Sequence, residues 1–143
     1  MPRDAGVNRD PMTSPEQDQQ SGTRTVYRVL VAEDVFFIAM DLVQALQARG
    51  LEAVGPAPTA AEALKLATTI PDLSGAILDV SLRERDAFAI AAVLDARGIP
   101  FVFTTGHSAS VIPAAWESVP VFIKPCDGPA VVDALAALVA ARP

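Results

Sequence analysis

The chain has 143 residues, a length that suits one domain around a single core. Hydrophobic residues make up 51% of it and charged residues 20%, a composition that packs rather than stays unfolded. A net charge of −6 and a pI near 4.6 argue against a grip on phosphate backbones, so nucleic acid is not an expected partner.

The single cysteine, Cys126, cannot form an internal disulfide, which suits a reducing compartment. No charged-then-apolar leader opens the sequence, and no apolar run approaches the length of a membrane span. The expectation is a cytoplasmic protein with no membrane partner. Residues 1–24 are rich in Pro, Ser, Thr, Gln, Asp and Arg and show no apolar period, so they read as a disordered tail. The domain is then expected over residues 25–143.

From Val26 a regular alternation begins. Tyr27 to Ala32 is an apolar, β-rich run, and Ile38, Leu42, Ala45 and Leu46 then mark one face of a helix that Gly50 ends. Leu51 to Val54 reads as a second strand, followed by Gly55-Pro56-Ala57-Pro58 as a loop. Thr59 and Glu62 have capping-box spacing, and Ala60, Ala63, Leu64 and Ala67 form the inner face of the next helix. Pro71-Asp72 breaks it. Ala76 to Leu78 reads as a buried strand with Asp79 at its end.

Asp86 is placed to cap a third helix with Ala87, Ile90, Ala91 and Leu94 inward, ended by Gly98. Ile99 to Thr105 is a fourth strand. Ser108 to Ser118 is weakly helical and interrupted by Pro113. Val119 to Ile123 is a fifth strand, and Asp127 caps a last helix with Val131, Ala134, Leu135 and Leu138 inward. Strands that are apolar on both faces and separated by helix-length segments imply five βα units and a doubly wound parallel sheet. Such sheets bind ligands beyond the C-terminal strand ends.

The residues at those ends are Glu33-Asp34, Asp79, Thr105-Gly106 and Lys124-Pro125. Each has an ordinary reading by itself. Glu33-Asp34 suits the positive start of a helix, Lys124 a solvated surface, Thr105 a β-branched strand position and Asp79 a strand-to-loop junction. Together they make another case, because three carboxylates at one edge repel and must take up protons or hold a cation. An all-oxygen set with room for water suits Mg²⁺.

On these residues the sequence resembles the response-regulator receiver domain, the phosphoryl-accepting module of bacterial two-component signalling. Leu30-Val31-Ala32-Glu33-Asp34 is similar to its acidic-pair strand, Ala76-Ile77-Leu78-Asp79 to its acceptor strand, Thr105-Gly106 to its hydroxyl position and Lys124-Pro125 to its lysine. The likeness runs from about Val26 to Arg142. It implies a five-stranded (βα)5 flavodoxin-like fold with strand order 2-1-3-4-5.

It further implies that Asp79 takes a phosphoryl group from a histidine kinase or histidine phosphotransfer protein, with Mg²⁺ held by Asp34, Asp79, Glu33 through water, and the backbone carbonyl of Ser81. Lys124 and the Thr105 hydroxyl would meet phosphoryl oxygens, assisted by the Gly106 amide. Thr104 is a second candidate hydroxyl. Thr105 is favoured because the small Gly106 after it lets an amide approach the phosphate. The Lys124–Pro125 peptide is expected to be cis, as in the family.

The departures concern output. Leu82-Arg83 and Asp86-Ala87 replace the usual Met-Pro and Asp-Gly, and Val121 replaces the switch aromatic of strand five. Phe103-Thr104-Thr105-Gly106-His107 resembles a subgroup with a Phe-Ala-Thr-Gly-Tyr signature, which includes single-domain receivers of phosphorelays and stress signalling. His107 is then either the mobile aromatic of the switch or a solvated loop histidine, and Cys126 a small packing residue.

The expectation is a stand-alone receiver, monomeric or weakly dimeric, acting as phosphoryl shuttle, sink or protein-binding switch rather than as a metabolic enzyme. Its downstream partner is not readable. A pseudo-receiver that binds partners without phosphorylation is the alternative. A dehalogenase-like phosphatase would need a second Asp where Ser81 stands.

Overall fold

Five mostly apolar runs pair side by side as parallel strands, in a computed structural model that describes residues 26–82 and 84–142, and only the backbone of 84 and 85. In chain order the elements are β1 (Arg28–Ala32), α1 (Phe36–Ala48), β2 (Glu52–Ala57), α2 (Ala60–Thr69) and β3 (Gly75–Asp79). They continue with α3 (Glu84–Ala96), β4 (Phe101–Thr105), β5 (Val121–Ile123) and α4 (Gly128–Ala140). The strand order is β2-β1-β3-β4-β5, the doubly wound arrangement expected from the sequence. The stretch 1–24, read as a tail, lies outside the described residues.

Side chains alternate across the sheet because successive Cβ atoms of a strand point to opposite faces. Leu30, Ala32, Ala76, Leu78, Phe101 and Phe103 pack toward α2 and α3. Val29, Val31, Ile77 and Val102 pack toward α1 and α4. Every residue of β3 and β4 is buried, which explains why these strands read as unbroken apolar runs. The side chain of Thr59 accepts from the Glu62 amide at 3.2 Å and caps α2, and Asp127 caps α4 through the Ala130 amide at 3.2 Å. Among the described residues, no helix is long and apolar enough to cross a membrane.

Four details differ from the sequence reading. Gly55-Pro56-Ala57 is not a loop but the second half of β2, carried past a bulge at which Leu30 pairs with Val54 and Ala32 with Ala57. Gly55 has φ +95°, and a Cβ there would sit 2.7 Å from the Ala57 nitrogen, so the bulge requires glycine.

Asp86 lies inside α3 rather than at its cap, because the helix already starts at Glu84. Leu64 is 39% exposed and sits at the rim of α2, whose buried positions are Ala63 and Ala67. Finally, the segment between β4 and β5 forms two short 3₁₀ turns, Ala109–Val111 and Ala114–Trp116, so the described residues hold four α-helices rather than five.

Pro113 separates those turns, since proline has no amide to donate and restricts the residue before it. Trp116 anchors the segment. Its ring meets Phe101 edge-on with centroids 5.5 Å apart, and the contact continues through Phe103 to Phe88 of α3.

Candidate functional site

The C-terminal ends of β1, β3, β4 and β5 bring Glu33-Asp34, Asp79, Thr105-Gly106 and Lys124 to one edge of the sheet. The β2 bulge helps set the acidic pair, because the Glu33 amide donates to the Ala57 carbonyl at 3.1 Å. Just beyond it, the Val35 amide at the entrance to α1 donates to Glu33 Oε2 at 3.1 Å. Carboxylate oxygens of Glu33, Asp34 and Asp79 lie within 4.8 Å of one another. Glu33 and Asp79 are buried, and Asp34 faces solvent.

Lys124 enters from the loop after β5. Its Nζ lies 2.7 Å from Glu33 Oε1 and 3.0 Å from Asp79 Oδ2, so one ammonium serves two buried carboxylates. Burial lowers the pKa of that ammonium, but hydrogen bonding and charge from Glu33 and Asp79 outweigh burial and leave it raised. Burial also pushes Glu33 up to about 7, with a smaller upward contribution from Asp79, against the downward pull of Lys124 and the Val35 amide. The Lys124–Pro125 peptide is cis, as the family resemblance implied, and Gly55–Pro56 is cis as well.

The two threonines of β4 differ. Thr104 stands in register with Asp79 across the β3–β4 ladder, fully buried, and its Oγ1 has no hydrogen-bond partner among the described residues. Thr105 is also buried, but its Oγ1 accepts the His107 amide at 3.0 Å, in the loop that opens toward the site. His107 is exposed, and among the described residues it meets the site through its backbone amide. Burial raises the pKa of the Cys126 thiol, the reverse of what activates a nucleophile.

Two features went unread in the sequence. The first is the hydrogen bonding of Ser81, which the sequence offers only as a backbone carbonyl ligand and as the position where a phosphatase would need an Asp. Its amide donates to Asp79 Oδ1 at 2.9 Å and its Oγ accepts the Gly106 amide at 3.2 Å. The second is an aromatic pair next to the acidic residues. Phe36 and Phe37 are 68% and 78% exposed, with their rings edge-on at 5.8 Å. Their sequence signal is that two phenylalanines precede the inward-facing stripe of α1 that begins at Ile38.

The donor set fits a divalent cation. Three carboxylates converge, and the local charge of two buried carboxylates is only half met by the one ammonium. Hard oxygen donors with one solvent-facing member suit Mg²⁺, which prefers to keep some of its waters.

No protein-family model matches the chain. The transcriptional regulatory protein PdtaR of Mycobacterium tuberculosis is 38% identical over 99 residues, which is 68% of this chain and 46% of that protein. The chain thus spans about half the length of the curated relatives it matches.

Among solved structures, a CheY-like receiver domain from Methanospirillum hungatei superposes with a TM-score of 0.69 at 19% identity, covering 81% of this chain and 95% of that one. That likeness establishes the fold alone. The BeF3-activated form of SdrG from Pseudomonas melonis superposes with a TM-score of 0.64 at 38% identity, over 78% of this chain and 95% of that one. Identity of that order across nearly the whole of a receiver protein goes beyond a shared architecture, and this chain belongs to the response-regulator receiver family of two-component signalling.

Proposed function

We propose that the chain is a phosphorylation switch in which Asp79 accepts a phosphoryl group from a histidine kinase or phosphotransfer protein. The observation that carries this reading is the position of Asp79. It is a buried carboxylate at a strand end, held 3.0 Å from Lys124 Nζ and facing two further carboxylates. A carboxylate oxygen of Asp79 attacks phosphorus, the bond from phosphorus to the donor imidazole nitrogen breaks, and that nitrogen leaves with the electron pair. Hydrolysis of the acyl phosphate later returns the carboxylate and resets the switch.

Such a transfer needs alignment and charge neutralisation more than acid–base groups. Lys124 is placed to follow the new charge as a point cation on a flexible stem. The Thr105 hydroxyl and the Gly106 amide stand beside it as donors to the phosphoryl oxygens. Asp34, Asp79, Glu33 through water, and the Ser81 carbonyl would hold Mg²⁺, which would supply positive charge against the phosphoryl oxygens. The exposed Phe36–Phe37 pair, which follows the acidic pair in the chain, would give a phosphodonor an apolar anchor.

Further support comes from SdrG, which takes an activated form with BeF3, a species that mimics a phosphoryl group on a carboxylate. In this reading the chain works in the cytoplasm as a self-resetting signalling element, not as an enzyme turning over a metabolite. The test is incubation of the wild type and Asp79→Asn with Mg²⁺ and a small acyl phosphate, followed by intact mass. The wild type gains one phosphoryl group and the variant gains none. An unlabelled wild type, or equal labelling of both, refutes the reading and favours a receiver that binds partners without phosphorylation.

A further inference from the structure

The loop after β3 and the loop after β4 are joined at the site by one serine. The Ser81 amide donates to Asp79 Oδ1 at 2.9 Å, while the Ser81 hydroxyl accepts the Gly106 amide at 3.2 Å. The neighbouring Thr105 hydroxyl accepts the His107 amide at 3.0 Å. The Gly106 amide, one of the donors assigned above to the phosphoryl group, is therefore already engaged in the unphosphorylated chain.

We propose that the Ser81 side chain is a positioning residue: its hydroxyl holds the Gly106 amide in the unphosphorylated state and competes for it with the phosphoryl oxygens. The inference rests on Asp79 being the acceptor. A serine hydroxyl is a neutral acceptor, whereas a phosphoryl group brings a charge of about −1.5 to −2 and forms shorter, stronger bonds to N–H donors. Phosphorylation therefore wins the donor, and winning it unties the two loops. The choice of side chain at position 81 then sets how far the unphosphorylated site is biased against its product.

The two residues are not wedged together, since even a Cβ on Gly106 would lie 3.6 Å from Ser81 Oγ, an ordinary contact. Both residues are exposed, which leaves the released hydroxyl free to bond to water. Removing one neutral hydrogen bond of this kind shifts an equilibrium by roughly two- to tenfold.

The experiment compares wild type, Ser81→Ala and Ser81→Thr by amide NMR without ligand, and then by titration with beryllofluoride in saturating Mg²⁺. In Ser81→Ala the Gly106 amide resonance is expected to move and to exchange faster with solvent. Its beryllofluoride affinity is expected to rise roughly two- to tenfold. Ser81→Thr keeps a hydroxyl and is expected to restore the wild-type values of both.

An unmoved Gly106 amide in Ser81→Ala, or equal affinities of the alanine and threonine variants, overturns the proposal. A wild type that binds no beryllofluoride overturns the acceptor reading of Asp79, and the competition with it. The unliganded Gly106 resonance still reports on the hydrogen bond in that case, so the two failures are told apart.

Discussion

Two buried carboxylates face one ammonium at the end of β3, and that ratio governs what each side chain at the site can do. Glu33 and Asp79 cannot both be fully neutralised by Lys124, so the site retains negative charge that favours a proton or a cation. These residues were legible in the sequence because strand ends are legible: Glu33 and Asp79 each follow an apolar run that burial on both faces of the sheet then explains. The choice between the two threonines was legible only in part. Adjacent strand residues point to opposite faces, but which of the two faced the loop depended on the register of β4.

The structure gives the pair opposite properties and a direct test. Thr104 has a buried hydroxyl without a partner among the described residues, a condition that costs about 1–3 kcal/mol. Thr104→Val, which removes the hydroxyl and keeps the branched shape, is expected to leave stability unchanged or raise it by about 1 kcal/mol in urea denaturation. It is also expected to leave Asp79 labelling intact. Thr105→Val removes the acceptor of the His107 amide and a proposed hydrogen-bond donor to the phosphoryl oxygens, so labelling slows in that variant. The assignment fails if Thr104→Val is the one that loses labelling.

At the scale of elements, β2 shows where sequence reading stopped. Gly55-Pro56 between an apolar run and Pro58 has the composition of a loop, and no local signal says that the strand resumes after it. Pairing with β1 decides the matter, because Ala57 returns to register with Ala32 and its carbonyl receives the Glu33 amide at 3.1 Å. The bulge is thus part of the support of the acidic pair.

Gly55→Ala would place a Cβ in a left-handed conformation and against the Ala57 nitrogen. The expected loss is about 1–3 kcal/mol, read from the midpoint of chemical unfolding. Chemical shifts of Glu33 and Asp34 are expected to move with it, whereas those of α3 stay in place. The segment between β4 and β5 was read as weakly helical for a sound reason: Pro113 divides it, and neither half is long enough to sustain an α-helix without it.

For the whole molecule, the charge excess at the site links folding, protons and metal. Glu33 has an ordinary pKa of 4.5 and is pushed up to about 7 in the folded chain. Below pH 4.5 it is protonated folded and unfolded alike, and its contribution to stability is fully present. Between 4.5 and about 7 the folded chain keeps a proton that the unfolded chain has released, so stability falls as pH rises. Above about 7 the buried carboxylate is charged in both states and the loss is complete.

Mg²⁺ reverses the trend, because it binds the deprotonated carboxylates and must displace that proton at lower pH. Thermal unfolding without Mg²⁺ is therefore expected to shift to lower temperature from pH 5 to pH 8, and the gain on adding Mg²⁺ is expected to grow over the same range. Glu33→Gln, which cannot titrate, is expected to flatten both dependences. A Mg²⁺ effect independent of pH in the wild type would place the proton elsewhere. It would mean that Lys124 neutralises Glu33 fully, and that the unmet charge at this edge belongs to Asp34 and Asp79.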